Sequence, residues 1–295
     1  MAEMRPVPET GSFRKTEKAG LPDGTPEHAA RRRTRRVHEV EHLLREALRS
    51  DGFEVYYQPL CTVRDGKFTE AEALLRLKDH GGAYVSPEEF IPVAERTGMI
   101  VAIGSMVLEK VCRYLNRLLA CHVDVDSISV NLSVAQLMRE DAVPHLLGII
   151  RKNGVSPNRI VFEVTESVLI ENYAAIARKI EELSRAGVQF ALDDFGTGYS
   201  NFSHAIDLPF DVVKIDKSLI WDSVESRKCS VMVRNLTQTF KNLNMTVTAE
   251  GVETRQHDLF VRLCGCDRIQ GFRYARPMPE SRAADYFGRT AAAGQ

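Results

Sequence analysis

The chain is 295 residues long, 44% hydrophobic and 27% charged, enough apolar material for one large globular domain or two modest ones. Lys and Arg number 39 against 40 Asp and Glu, and the formal net charge of -1 argues against general electrostatic binding to genomic nucleic acid. The longest apolar stretch, Met99 to Leu108, is far shorter than the ~20 residues of a membrane span, and the N-terminal residues lack the apolar core of a signal peptide, so a cytoplasmic location is expected.

Residues 1–36 carry few large apolar side chains before the basic run Arg31, Arg32, Arg33, Arg35 and Arg36, so they are expected to form a disordered, solvated tail. The spacing of Val37, Val40, Leu44, Ala47 and Leu48 predicts one amphipathic lead-in helix over 37–51. On it, His38-Glu39-Val40-Glu41-His42 matches H-E-x-x-H, which on a buried helix holds zinc. Here it follows a disordered tail and no third ligand is evident, so it is read as two exposed histidines.

After Gly52, short β-branched runs alternate with longer helical stretches. The strand-like runs are 54–60, 68–77, 127–132, 159–164, 188–193, 211–215, 245–250 and 267–271. Helical segments such as 87–96, 106–119, 173–186 and 229–243 lie between most of them. This alternation predicts an α/β fold with a mostly parallel sheet, closed as a TIM-like (β/α)8 barrel over 52–288, with 289–295 disordered. A doubly wound open sheet is the alternative, but no G-x-G-x-x-G opens the first helix. The six cysteines, at 61, 112, 121, 229, 264 and 266, are not spaced as a disulfide framework and read as reduced thiols. The C-x-C pair Cys264 and Cys266 has no second Cys or His pair at a zinc-like spacing and reads as barrel packing.

The informative pattern is where polar residues fall on these strands. Asn131, Glu163, Asp193, Asp194, Lys214 and Glu250 each lie at or near the C-terminal end of a run. In a barrel those ends share one rim, where active sites of this architecture are built, and Glu72 joins them if it faces inward. One inward polar residue could simply satisfy rim backbone. Five carboxylates in one concave site repel one another, and a divalent cation, or two, resolves that conflict. Carboxylates plus an Asn amide favour Mg²⁺ or Mn²⁺ over zinc.

The chain also reads Y-Y-Q-P-L at 56–60, E-A-L-L-R at 72–76, S-P-E-E-F-I-P at 86–92 and N-L-S at 131–133. It continues E-V-T-E-S at 163–167, D-D-F-G-T-G-Y-S at 193–200, K-I-D at 214–216, A-E-G-V-E-T at 249–254, Q-G-F at 270–272 and R-P at 276–277. In this order, over roughly four-fifths of the chain, the motifs resemble the EAL domain, the bacterial phosphodiesterase module for cyclic di-GMP. The resemblance implies hydrolysis of cyclic di-GMP to linear 5'-pGpG on a barrel with room for one antiparallel strand. It implies that Glu72, Asn131, Glu163 and Asp193 bind a first Mg²⁺ or Mn²⁺, that Asp193 bridges to a second completed by Asp194, and that Glu250 is a ligand or general base. Lys214 would orient the attacking water or neutralise charge on phosphorus.

The resemblance further implies Gln58 toward guanine, Arg76 on a phosphate oxygen, Gln270 and Glu253 at the substrate edge, and Glu166 steadying the loop 195–200. Asp194-Phe195-Gly196 spells a kinase motif, but no other kinase element accompanies it. The sequence departs from the family pattern at S-N-F-S-H (200–204) and at V-A-Q after N-L-S, which bears on loop geometry and the dimer contact rather than on any metal ligand. A homodimer is expected, with regulation through a protein partner, the tail or dimerisation, since only about 50 residues precede the module. A non-catalytic cyclic di-GMP receptor or protein-interaction module on the same fold is the alternative, and an unrelated metal-dependent phosphoesterase barrel a more distant one.

Overall fold

The computed structural model describes residues 26–123, 125–165, 173–197 and 207–289. The chain divides into two compact units, Met1–Glu39 and Val40–Gln295. Helix α1 runs Pro26–Ser50, so it begins 11 residues before the expected Val37 and takes in the arginine run. Arg and Ala are strong helix formers, and Glu39 lies 3.0 Å from Arg35 one turn away, support of the i,i+4 kind that a disordered reading of the tail overlooked. Within the second unit, Val40, Leu43, Leu44 and Ala47 are buried, as their helical spacing predicts.

The sheet contains β1 (Phe53–Thr62), β2 (Phe68–Lys78), β3 (Tyr84–Val85), β4 (Ser127–Asn131) and β5 (Ile160–Thr165). It continues through β6 (Gln189–Phe195), β7 (Val212–Ile215), β8 (Thr246–Ala249), β9 (Arg268–Ile269) and β10 (Met278–Pro279). Its order is β10-β1-β9-β8-β7-β6-β5-β4-β2-β3, and a β1–β2 pairing closes the ring, leaving β3 and β10 as short flanking strands. Strands β2 and β4 to β9 are parallel neighbours, whereas β1 is antiparallel to both β2 and β9. Only residues 63–67 join β1 to β2, too few for a crossover helix, so the two must form a hairpin. The fold is thus the expected TIM-like barrel, with one antiparallel strand.

The outer layer comprises α2 (Pro87–Arg96), α3 (Met99–Ala120), α4 (Val134–Leu137), α5 (Ala142–Lys152) and α6 (Tyr173–Arg185). Among the described residues it continues with α7 (Lys217–Glu225), α8 (Arg227–Asn242), α9 (Arg255–Cys264) and α10 (Glu280–Ala283). Pro87 with Glu88 and Glu89 sets the start of α2, because a missing N–H costs nothing there and acids complement the helix dipole. Helix α3 starts at Met99, earlier than the expected 106, and runs through Gly104. A Cβ at Gly104 would overlap the amide end of the Gln136 side chain, so the missing side chain leaves room for that amide on α3. Among the described residues no single helix is long and apolar enough to cross a membrane.

Strand periodicity sorts the residues into two faces. Phe162 and Phe190 are almost fully buried on the helix side, with ring centroids 5.9 Å apart. Val161, Ala191 and Val212 form a buried cluster of the opposite parity. Two residues further along the same strands come Glu163, Asp193 and Lys214. An apolar layer therefore floors the charged one.

Candidate active site

The ladder registers bring the rim residues together. Gln58 pairs with Glu72 across β1 and β2, Glu72 with Ser129 across β2 and β4, and Asn131 with Glu163 across β4 and β5. Asp193 lies opposite Thr165, and Lys214 opposite Thr248. Consecutive residues on a regular strand point to opposite faces, so Asp193 and Asp194 should not share a site. The β6–β7 register shifts between Leu192 and Phe195, and Asp194 adopts φ 54°, a left-handed conformation. That irregularity turns the backbone so that ligand atoms of Asp193, Asp194 and Glu250 all lie within 4.8 Å of one another.

Lys214 stands at the centre, its side chain only 3% exposed. Its Nζ lies 2.9 Å from Asp193 Oδ1 and from Glu250 Oε1, 3.0 Å from Glu163 Oε2 and 3.4 Å from Glu72 Oε2. An ammonium has three hydrogens to donate, fewer than its four carboxylate neighbours. Glu72 and Glu163 accept hydrogen bonds from it, while Asp193 Oδ1 and Glu250 Oε1 are held against it as ion pairs, the buried Asp193 Oδ1 with no hydrogen bond. Gln270 Nε2 donates to Glu72 Oε2 at 2.7 Å and to Gln58 Oε1 at 3.1 Å, while Asn131 Nδ2 donates to Glu72 Oε1 at 3.2 Å.

The electrostatics follow from one ammonium facing four carboxylates, with a fifth, Asp194, beside Asp193 and Glu250. Burial alone would raise Glu72, but the Lys214 charge and the hydrogen bonds from Gln270 and Asn131 outweigh it and hold this carboxyl below its ordinary value. Burial, then the charge of Glu72, pushes Glu163 well above the carboxylate range. Burial likewise raises Glu250 to about 8, and burial with the Asp193 charge raises Asp194 to about 6. For Lys214, burial disfavours the ammonium, but the surrounding carboxylates prevail and push it well above the ordinary lysine value. The site is short of positive charge, its donors are all oxygen, and one buried carboxylate oxygen is unsatisfied. Those properties fit a hard divalent cation at Asp193, Asp194 and Glu250, whose ligand atoms are the ones that share one point of the rim.

A cavity of about 530 Å³ opens beside this cluster, with Glu72, Arg76, Asn131, Gln136 and Glu163 in its wall. Arg76 lies 5.5 Å over the Tyr56 ring and donates to the Leu75 carbonyl. Gln58 and Gln270 are buried, and Gln58 Nε2 donates to the Ala275 carbonyl at 3.0 Å. Glu253 is exposed and outside the cluster; its backbone N–H donates to His257 Nδ1. Glu166 and most of the loop after Phe195, including S-N-F-S-H, lie outside the described residues.

Supporting groups that the sequence reading passed over hold the rim in shape. Trp221 on α7 donates from Nε1 to the Gly251 carbonyl at 2.7 Å and stacks on His257, which anchors the segment carrying Glu250 and Glu253. Ser133 and Gln136 form a capping box on α4, directly after the N-L-S motif. The S-x-x-Q spacing announced the second; nothing local announced the first, because Trp221 and Gly251 are 30 residues apart.

The EAL domain family profile matches residues 41–277. The chain is 35% identical over 242 residues to the bifunctional diguanylate cyclase/cyclic di-GMP phosphodiesterase MucR of Pseudomonas aeruginosa, covering 82% of this chain and 35% of MucR. It is also 35% identical over 242 residues to the cyclic di-GMP phosphodiesterase NbdA of the same organism, covering 82% and 31% respectively. The chain thus spans about a third of the length of these curated relatives. The solved structure of the P. aeruginosa MucR phosphodiesterase in complex with c-di-GMP superposes with a TM-score of 0.78 at 34% identity, covering 83% of this chain and 99% of that one. With the barrel and its acidic rim formed by the residues of the family's motifs, the chain belongs to the EAL domain family.

Proposed function

We propose that the protein hydrolyses cyclic di-GMP to linear 5'-pGpG with Mg²⁺ or Mn²⁺, two ions in all. The observation that carries this reading is the convergence of four carboxylates on a single buried ammonium, with Asp194 beside two of them at ligand spacing. The kinship with MucR and NbdA, both named as cyclic di-GMP phosphodiesterases, supports the substrate.

In this proposal Glu72, Asn131, Glu163 and Asp193 hold one ion, and Asp193, Asp194 and Glu250 the other. Such ions, when bound, lower the pKa of water and screen the phosphodiester charge. Lys214 orients the attacking water and offsets charge developing on phosphorus, a role suited to an ammonium already ringed by the ligand carboxylates. Glu250, with its side chain more open than that of Glu163, serves as ligand or proton acceptor. Arg76, in the cavity wall beside Glu72, takes a phosphate oxygen through its planar guanidinium. Gln58 and Gln270 define the substrate edge nearest Glu72, Glu253 lies further out, and Glu166 steadies the following loop. The working form in this reading is a cytoplasmic homodimer.

The test is hydrolysis of cyclic di-GMP by purified protein with Mg²⁺ or Mn²⁺, with EDTA and Glu250→Ala as controls and a binding titration in Ca²⁺. Metal-dependent linear product that disappears in both controls is expected. Tight binding without turnover would replace the enzyme by a receptor, and neither binding nor turnover would point to protein interaction.

A further inference from the structure

A second cluster of metal-type donors lies on other elements than the barrel rim. His42 and Glu46 stand one turn apart on α1, and His80 lies in the turn joining β2 to β3. Glu46 Oε2 lies 3.2 Å from His42 Nδ1 and 3.4 Å from His80 Nε2. One donor atom from each of the three lies within 4.8 Å of the other two. Bonds of ~2.0–2.1 Å at tetrahedral angles separate neighbouring donors by ~3.3 Å, so both separations from Glu46 already match the edges of a zinc coordination polyhedron.

The donors are also held in place. The helix fixes His42 relative to Glu46. The turn bearing His80 is built by Asp79, whose Oδ1 accepts from the N–H groups of Gly81 and Ala83, both at 2.9 Å, with Gly82 at φ 82°. The His42 and His80 rings meet edge to face at 6.3 Å. All three side chains are exposed, 67% for His42, 47% for Glu46 and 71% for His80, so an ion reaches them without opening the fold. Two imidazoles and one carboxylate suit borderline ions such as Zn²⁺, whereas Mg²⁺ prefers oxygen alone.

We propose that His42, Glu46 and His80 form a binding site for a transition-metal dication of the Zn²⁺ type, with three protein ligands and water completing the shell. The histidine that completes it is His80, 38 residues downstream of His42, and His38 of the H-E-x-x-H motif takes no part. A bound ion would join the C-terminal half of α1 to the end of β2, the strand that carries Glu72 and Arg76. The site stands independently of the reaction proposed for the rim.

The experiment is calorimetric titration of the metal-stripped full chain with Zn²⁺ in excess Mg²⁺, comparing wild type with His42→Ala, His80→Ala, Glu46→Gln and His38→Ala. The rim is intact in all of them, so differences report this cluster alone. Wild type and His38→Ala are expected to bind one more Zn²⁺ than His42→Ala and His80→Ala, with Glu46→Gln at least about tenfold weaker at that site. Circular dichroism checks that each variant is folded, as substitution of exposed side chains predicts. Equal stoichiometry and affinity in wild type and His80→Ala would overturn the site, as would a loss in His38→Ala equal to that in His80→Ala.

Discussion

Lys214 has three hydrogens for four carboxylates, and its removal would leave buried charges with no counterion. Lys214→Ala is expected to lower turnover by at least about 10²-fold, read as kcat at saturating metal; a variant within twofold of wild type would remove Lys214 from the reaction. Arg76→Ala, at the cavity wall, should instead raise KM with kcat little changed, and an unchanged KM would take Arg76 off the phosphate. The same cluster sets a pH dependence on the metal-free protein. Glu163 and Glu250 have folded-state values above the ordinary 4.5, so the stability they lend is full below 4.5 and is lost as pH rises through about 8 for Glu250. Glu72 acts the other way, but its window lies below 4.5. Without metal, Tm should therefore fall between about pH 5 and about pH 9, and saturating Mn²⁺ should flatten that fall. Identical profiles with and without Mn²⁺ would contradict a cation at this cluster.

Among the elements, β6 and the segment after β8 do the most to shape the rim. A regular β6 would send Asp193 and Asp194 to opposite faces; the shifted register with Asp194 at φ 54° brings both to Glu250. After β8, a Cβ at Gly271 would overlap the backbone of Val252, and one at Gly251 would overlap Lys217. Gly271→Ala is thus expected to displace the Glu250–Glu253 segment, lowering both Tm and turnover, and a crystal structure of the variant would show the shift. Trp221→Phe removes the hydrogen bond to the Gly251 carbonyl while keeping an aromatic ring beside His257. About 1 kcal/mol of stability should be lost, measured by urea unfolding, with a larger proportional effect on turnover than on KM.

At the scale of the molecule, the barrel is stabilised by its outer apolar layer, which is separate from the charged rim. Phe162, 1% exposed and packed on Phe190, belongs to that layer, so Phe162→Ala should cost about 3–5 kcal/mol while leaving the KM of the surviving folded protein near that of wild type. The eight barrel strands were legible because half-buried and fully buried strands announce themselves locally, through β-branched runs and period-two alternation. Rim residues such as Glu163, Lys214 and Glu250 were legible too, since each ends or interrupts an apolar run. The start of α1 was not, because a run of arginines reads equally as solvated coil or as exposed helix until its i,i+4 partners are known.

What the sequence determined by itself is the order of the eight barrel strands, the helices between most of them, and the polar residues at the strand ends. Those are local properties, set by residue type and spacing. Tertiary structure alone decided the left-handed turn at Asp194, the four-carboxylate cage around Lys214, the Trp221 anchor on Gly251 and the meeting of His42 with His80. Each of these depends on register and packing between segments distant in sequence, and no spacing rule within one segment encodes such a distance.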